Sequence, residues 1–235
     1  PDTFRPAVIV DFDGTYVKGA FGKAIYSYLS DIRHPSKFYK LFSFVYYSLK
    51  SLYSFARSEE EGYKCIMSSI ARLLRNYERK KIEDFGSKLE DVEGNSRMLD
   101  ILRKNAEVVE FVTFTPEQVV KAKLGQSGND DVKVKAPKLV FDDDRLVNFV
   151  NDTGYENPSR FKEARLERLI REGYDPVIFI GDFRKTDPRN KSSKIVYISV
   201  GDPSTRLFNP ILKVDYQCKN CNDVISRLIE LGFEE

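Results

Sequence analysis

Val8-Ile9-Val10-Asp11-Phe12-Asp13-Gly14-Thr15 is a run of apolar residues that ends in two carboxylates one residue apart, followed by a glycine. A short stretch of β-branched residues bounded in this way reads as a buried central strand of a parallel sheet. In open α/β sheets ligands sit beyond the carboxyl ends of such strands, where Asp11 and Asp13 stand. Alternation along the strand sends both side chains to one side. Two acids so placed repel each other unless they share a cation or a proton.

Two more apolar runs end in polar residues. Val108-Val109-Glu110-Phe111-Val112 ends at Thr113, and Phe114-Thr115-Pro116 then leads into a helix through Glu117 and Gln118. Thr115 followed by Pro116 also reads as a plain helix cap, and a helix N-terminus attracts anions in either case. Val177-Ile178-Phe179-Ile180-Gly181 ends at Asp182, with Asp187 five residues later. Asp187 precedes Pro188, so a turn is the alternative there. Between these runs, Pro158-Ser159-Arg160-Phe161-Lys162 opens a helix whose apolar stripe is Leu166, Leu169 and Ile170.

Asp11-Phe12-Asp13-Gly14-Thr15 behind its strand resembles the first motif of the haloacid dehalogenase-like phosphohydrolases, and the later segments resemble the family's other motifs in order. The resemblance implies Asp11 as the nucleophile that forms an aspartyl-phosphate, and Asp13 as the acid for the leaving group and later the base for water. It implies that Thr113 and Lys162 hold the phosphoryl oxygens, with Arg160 in reserve for Lys162. Mg²⁺ is implied on Asp11, Asp182, Asp187 and the Asp13 backbone carbonyl. The expected activity is Mg²⁺-dependent hydrolysis of a small phosphorylated metabolite. A phosphotransferase on the same residues and a non-catalytic interaction protein are the rival readings. Tyr16, Val17, Lys18 and Gly19 follow the first motif without an acid, which departs from phosphoserine phosphatases and argues against phosphoserine as the substrate.

Composition narrows the remaining classes. A chain of 235 residues, 41% hydrophobic and 31% charged, is long enough for one substantial core and a smaller appended unit. A net charge of +2 without a dense basic block does not indicate nucleic-acid binding. The first strand begins within ten residues of the start, which leaves no room for a signal peptide, and a cytoplasmic location is expected. Three cysteines do not make a disulfide framework, and Cys218 and Cys221 lack the partners a zinc site needs. His34, the single histidine, reads as a loop residue.

The fold class expected is α/β, a doubly wound, Rossmann-like parallel sheet with an all-helical cap inserted after the first strand. Residues 1–16 and 96–235 are assigned to the core, and 17–95 to the cap. In the cap, Phe21, Ile25, Tyr28, Leu29 and Ile32 recur at helical spacing, as do Phe42, Val45, Tyr46, Leu49, Leu52 and Tyr53 further on. The aromatic density of 38–55 is expected to pack the lid. Contact with a partner, including a homodimer through the cap helices, and contact with a membrane surface are the alternatives, since the apolar run is too short to span a bilayer. Asp142-Asp143-Asp144 lies between two apolar runs and reads as a hairpin turn rather than a metal cluster.

Overall fold

Ala7–Val10 forms β1, buried at every residue, and pairs in parallel with β2 (Val108–Val112) on one side and β6 (Val177–Gly181) on the other. The computed structural model describes residues 4–19, 37–155, 157–182, 188, 192–201 and 214–235, and excludes the side chains of 37–41, 43, 44, 55 and 71. The expected helix around Phe21 to Ile32, as well as His34 and Asp187, therefore falls outside the described residues.

Six strands form the sheet in the order β3-β2-β1-β6-β7-β8, with β3 at Lys133–Lys135, β7 at Ile195–Val200 and β8 at Tyr216–Cys218. Every neighbouring pair is parallel. The chain builds outward from β1 through β2 and β3, then returns to the far side of β1 as β6. That reversal opens a crevice at the carboxyl ends of β1 and β6, as expected for a doubly wound sheet.

Strand alternation sorts the core into two faces. Val8, Val10 and Phe12 join Phe111, Ile178, Ile180 and Ile198 in the larger cluster. Residues of α3 (Arg79–Ser87), α4 (Asn95–Asn105), α5 (Glu117–Gln126) and α7 (Cys221–Glu230) complete it. Ala7 and Ile9 face the other way, with Val177, Phe179 and Tyr197, against Phe161, Leu166 and Leu169 of α6 (Pro158–Arg171).

A forked ion pair lies on this second face. Glu110, 2% exposed and level with Ile9, accepts two hydrogen bonds from Arg165 of α6, Nε to Oε2 at 2.6 Å and Nη2 to Oε1 at 2.9 Å. A forked guanidinium–carboxylate contact fixes orientation as well as distance, so it sets how α6 lies on the sheet.

The hairpin expected around the three acids is β4 (Lys138–Asp142) and β5 (Arg145–Val150), antiparallel. Asp143 and Asp144 form its two-residue turn with positive φ angles of 43° and 60°, the backbone that primed hairpin turns demand. Leu146 exchanges backbone hydrogen bonds with Asn76 and Tyr77 at 2.8 and 2.9 Å, which seats the hairpin on the chain leaving the preceding helices.

Those helices are α1 (Lys37–Arg57) and α2 (Glu59–Leu73), which pack on each other. Ser58 ends the first and caps the second, its Oγ accepting from Glu61 N–H at 3.0 Å. The apolar stripe of α1 does not pack the lid as expected. Phe42, Val45, Tyr46, Leu49, Leu52 and Tyr53 are exposed, while Ser51 is buried toward Cys65. Among the described residues, no helix is long and apolar enough to cross a membrane.

Arg165→Met strands the Glu110 carboxylate in the core and should lower unfolding free energy by about 3–5 kcal/mol, whereas Glu110→Leu with Arg165→Met should recover most of it. Urea denaturation of the two variants checks this, and equal losses would contradict it. A second expectation concerns alkaline pH. Burial pushes Tyr16 and Cys221 up to about 12 and Cys218 up to about 11. All three are held neutral in the folded state but ionise sooner when unfolded. Their stabilisation is complete below about 8.5, the free thiol value, and is lost as pH climbs through the folded values. Denaturation midpoints should be level from neutrality to that point and fall above it.

Candidate active site

Asp11 continues β1 past its last strand residue, its N–H donating to Ile180 O at 2.8 Å. By alternation its side chain follows Ile9 onto the α6 face. There the Lys162 ammonium meets Asp11 Oδ1 at 2.8 Å, with both side chains at most 4% exposed. Asn157 caps α6, Oδ1 accepting from Ser159 N–H at 2.9 Å, with Pro158 in the first turn. Lys162 shares the inward face with Phe161, Leu166 and Leu169, whereas Arg160 is exposed. Of the two cations considered from sequence, the fold brings Lys162 to Asp11.

Phe12 turns the other way and anchors the loop in the larger core, 6.1 Å from the Tyr16 ring and 6.0 Å from Phe111. Gly14 N–H donates to Val17 O at 2.8 Å, and Tyr16 and Val17 N–H both reach Phe12 O, which closes a tight turn around the half-buried Asp13. Gly14 has a φ of +88°, and a Cβ there would run into the Asp182 carboxylate. Both the backbone conformation and the lack of a side chain are therefore required at this position. Asp182 is 5% exposed and directly follows β6.

Thr113, 3% exposed, follows β2, and its Oγ1 accepts from Thr115 N–H at 3.1 Å. Its hydroxyl proton remains available to donate to an anion. Thr115 does not cap the helix; Pro116 occupies the cap position and α5 begins at Glu117. Val10 pairs with both Phe111 and Ile180, so Asp11, Thr113 and Asp182 all stand one or two residues past the same level of three adjacent strands.

Among the described residues, no three His, Cys, Asp or Glu side chains are gathered as a metal cluster. Mg²⁺ needs no such cage, because it keeps waters and takes one or two carboxylates plus substrate oxygens. The buried acids Asp11 and Asp182, with the space that Gly14 leaves beside Asp182, fit that ion. Cys218 and Cys221 are buried free thiols in the larger core cluster.

A cleft of about 380 Å³ opens where the start of α2 approaches the start of α6, with Ser58, Glu59 and Glu60 on one wall and Asn157, Ser159 and Arg160 on the other. Asn157 Nδ2 donates to Glu59 Oε2 across it at 3.2 Å. An aromatic chain also crosses the seam. Tyr63 of α2 lies 6.4 Å from Phe114, which lies 6.2 Å from Phe161. Phe114 and Phe161 are the immediate neighbours of Thr113 and Lys162. Sequence reasoning missed Asn157, Glu59 and the Glu110–Arg165 pair. An Asn directly before Pro158 is a readable cap signal, whereas the pairings across elements have no local signature.

No family model and no curated protein matches the chain. Solved structures do. A phosphoserine phosphohydrolase-like protein from Francisella tularensis subsp. tularensis SCHU S4 superposes with a TM-score of 0.64 at 15% identity, covering 95% of this chain and 99% of that one. A HAD phosphatase from Thermococcus onnurineus gives 0.63 at 19% identity, with 97% and 99% covered. A phosphoserine phosphatase captured as a phospho-aspartyl intermediate analogue gives 0.59 at 18%, with 96% and 98% covered. The chain has the fold of phosphoserine phosphatases and other haloacid dehalogenase-like hydrolases, over nearly its whole length.

Proposed function

We propose that the protein is a Mg²⁺-dependent phosphatase that hydrolyses a small phosphorylated metabolite through an aspartyl-phosphate. The observation that carries this reading is the buried Asp11–Lys162 pair at the carboxyl end of the central strand, beside Thr113 and Asp182. An ammonium at the nucleophile offsets the charge of both carboxylate and incoming phosphate. A phospho-aspartyl intermediate analogue of a phosphoserine phosphatase with the same fold agrees with it.

Asp11 attacks phosphorus, and the bond to the ester oxygen breaks as Asp13 gives that oxygen its proton. Asp13, now a carboxylate, takes a proton from water, whose oxygen attacks the phosphorus and returns Asp11 as a carboxylate with release of phosphate. Thr113 and Lys162 orient the phosphoryl oxygens throughout. Asp11, Asp182, the Asp13 carbonyl and Asp187 would hold Mg²⁺, which neutralises charge on the transferring group when bound.

Asp11, Thr113, Lys162 and Asp182 are each at most 5% exposed, so substrate entry requires an opening movement. We assign that movement to α1 and α2, hinged where 74–78 meets the hairpin. Ile82 and Leu89, within the 17–95 expected as cap, are buried in the same cluster as Val8 and Val10, which supports counting α3 with the core. The free, buried cysteines suit a reducing cytoplasm.

Phosphate release from an aryl phosphate tests the proposal. It should require added Mg²⁺ and fall to background in Asp11→Asn, while Asp13→Asn should lose about 10²- to 10⁴-fold in turnover. Release by Asp11→Asn equal to wild type would sink the mechanism. Gly14→Ala should fold but lose most activity and need much more Mg²⁺ for half-maximal rate, because the new methyl displaces Asp182. An unchanged Mg²⁺ requirement would remove Asp182 from the metal set.

A further inference from the structure

We propose that α1 docks this protein, lying flat, on an anionic lipid surface. The inference stands apart from the phosphatase reading and starts from the orientation of one helix. Phe42, Val45, Tyr46, Leu49, Leu52 and Tyr53 recur at three- and four-residue spacing, so they form one continuous stripe. All six are exposed, from 47% at Val45 to 73% at Phe42. Together they leave on the order of 700 Å² of largely apolar surface in water, more than an ordinary monomer shows in one patch.

At Ser51, α1 meets the protein through a small polar side chain. Ser51 is 7% exposed, and its hydroxyl lies 3.6 Å from Cys65 Sγ of α2. There the two helices meet through small, weakly polar side chains, while the six large side chains of the stripe point away.

Charge decides what covers the stripe. Across Lys37–Arg57 the helix carries Lys37, Lys40, Lys50 and Arg57, and no acid. Lys50 and Arg57 are exposed. The nearest acids in sequence, Glu59 to Glu61, open α2, and Glu61 already lies 3.8 Å from Arg57. A second copy laid stripe to stripe would bring like charges together, with no acid on either α1 to answer them. Anionic headgroups answer them directly. An amphipathic helix with aromatic and leucine residues on one face and cations beside it fits the headgroup boundary, where tyrosine rings place their hydroxyls in the wet layer. This docking is parallel to the membrane plane and needs no spanning segment.

Flotation of the full chain with vesicles tests the proposal. Vesicles of phosphatidylcholine alone are compared with vesicles in which about one third is phosphatidylglycerol, an anionic fraction large enough to give a negative surface potential. The protein should float with the anionic vesicles only, and added salt should weaken binding. Leu49→Ser with Leu52→Ser should bind at least about tenfold more weakly, and Lys50→Gln about fivefold. Because all three side chains are exposed, each variant should keep the wild-type thermal midpoint, which circular dichroism reads. Equal flotation with neutral vesicles would overturn the charge argument. A protein that ignores both vesicles overturns the proposal. If sedimentation then shows a dimer that Leu49→Ser with Leu52→Ser splits, a second copy is the true occupant.

Discussion

The buried contact between Asp11 and Lys162 is the constraint around which the rest of the site is arranged. Two opposite charges, both almost entirely removed from water, meet at 2.8 Å past the end of the central strand. Such a pair adds little net stability, since desolvation consumes most of the attraction. It also demands accuracy. The carboxylate must leave β1 on the α6 side, and α6 must lie on the sheet with Lys162 facing in. The forked Glu110–Arg165 pair meets the second demand one helical turn further along, on the same face of the sheet. A second buried ion pair thus supports the first, and both lie on the face covered by α6.

Much of this was legible in the sequence because it is local. Strand alternation after Val10 assigns Asp11 to one face and Phe12 to the other, and the structure shows Phe12 in the aromatic cluster with Tyr16 and Phe111. Pairing of β1 with β2 and β6 brings the three strand ends together, as their order along the chain implied. The turn at Asp143 and Asp144 was likewise readable from two apolar runs around three acids. What was not legible depends on contact between distant residues. Gly14 reads as a turn residue, but its second requirement, room for Asp182, exists only once β6 lies beside β1. Glu110 reads as an interruption in an apolar strand until Arg165 comes across to it.

The seam proposed between the helical unit and the core follows from the same packing logic. Helical periodicity continues through 79–87, so the sequence offers no break between cap and core there. Ile82 nevertheless sinks into the cluster under β1, while Asn76 and Tyr77 are tied to the hairpin by backbone hydrogen bonds. A segment with one neighbour in the core and the other on a hairpin is fixed at both ends. The movement proposed for α1 and α2 would break the Asn157–Glu59 bond and the Tyr63–Phe114 contact. Both are modest contacts, suited to breaking and reforming as substrate enters.

The two helices of that unit face different things. α2 supplies Glu59, Glu60 and Tyr63 to the cleft and its aromatic chain. No described side chain of α1 joins that list, although the helix carries the densest group of aromatic residues in the chain. Periodicity in a sequence identifies an apolar stripe but does not say which way it points, and the usual assumption is inward. Here six large side chains of the helix are left exposed, while Ser51 is buried against α2. A lid needing only internal cohesion would be better served by the opposite rotation of α1, with leucines against α2. The outward stripe makes sense when the cleft side and the outer side of the unit have separate tasks, one closing over substrate and the other holding the protein to a surface.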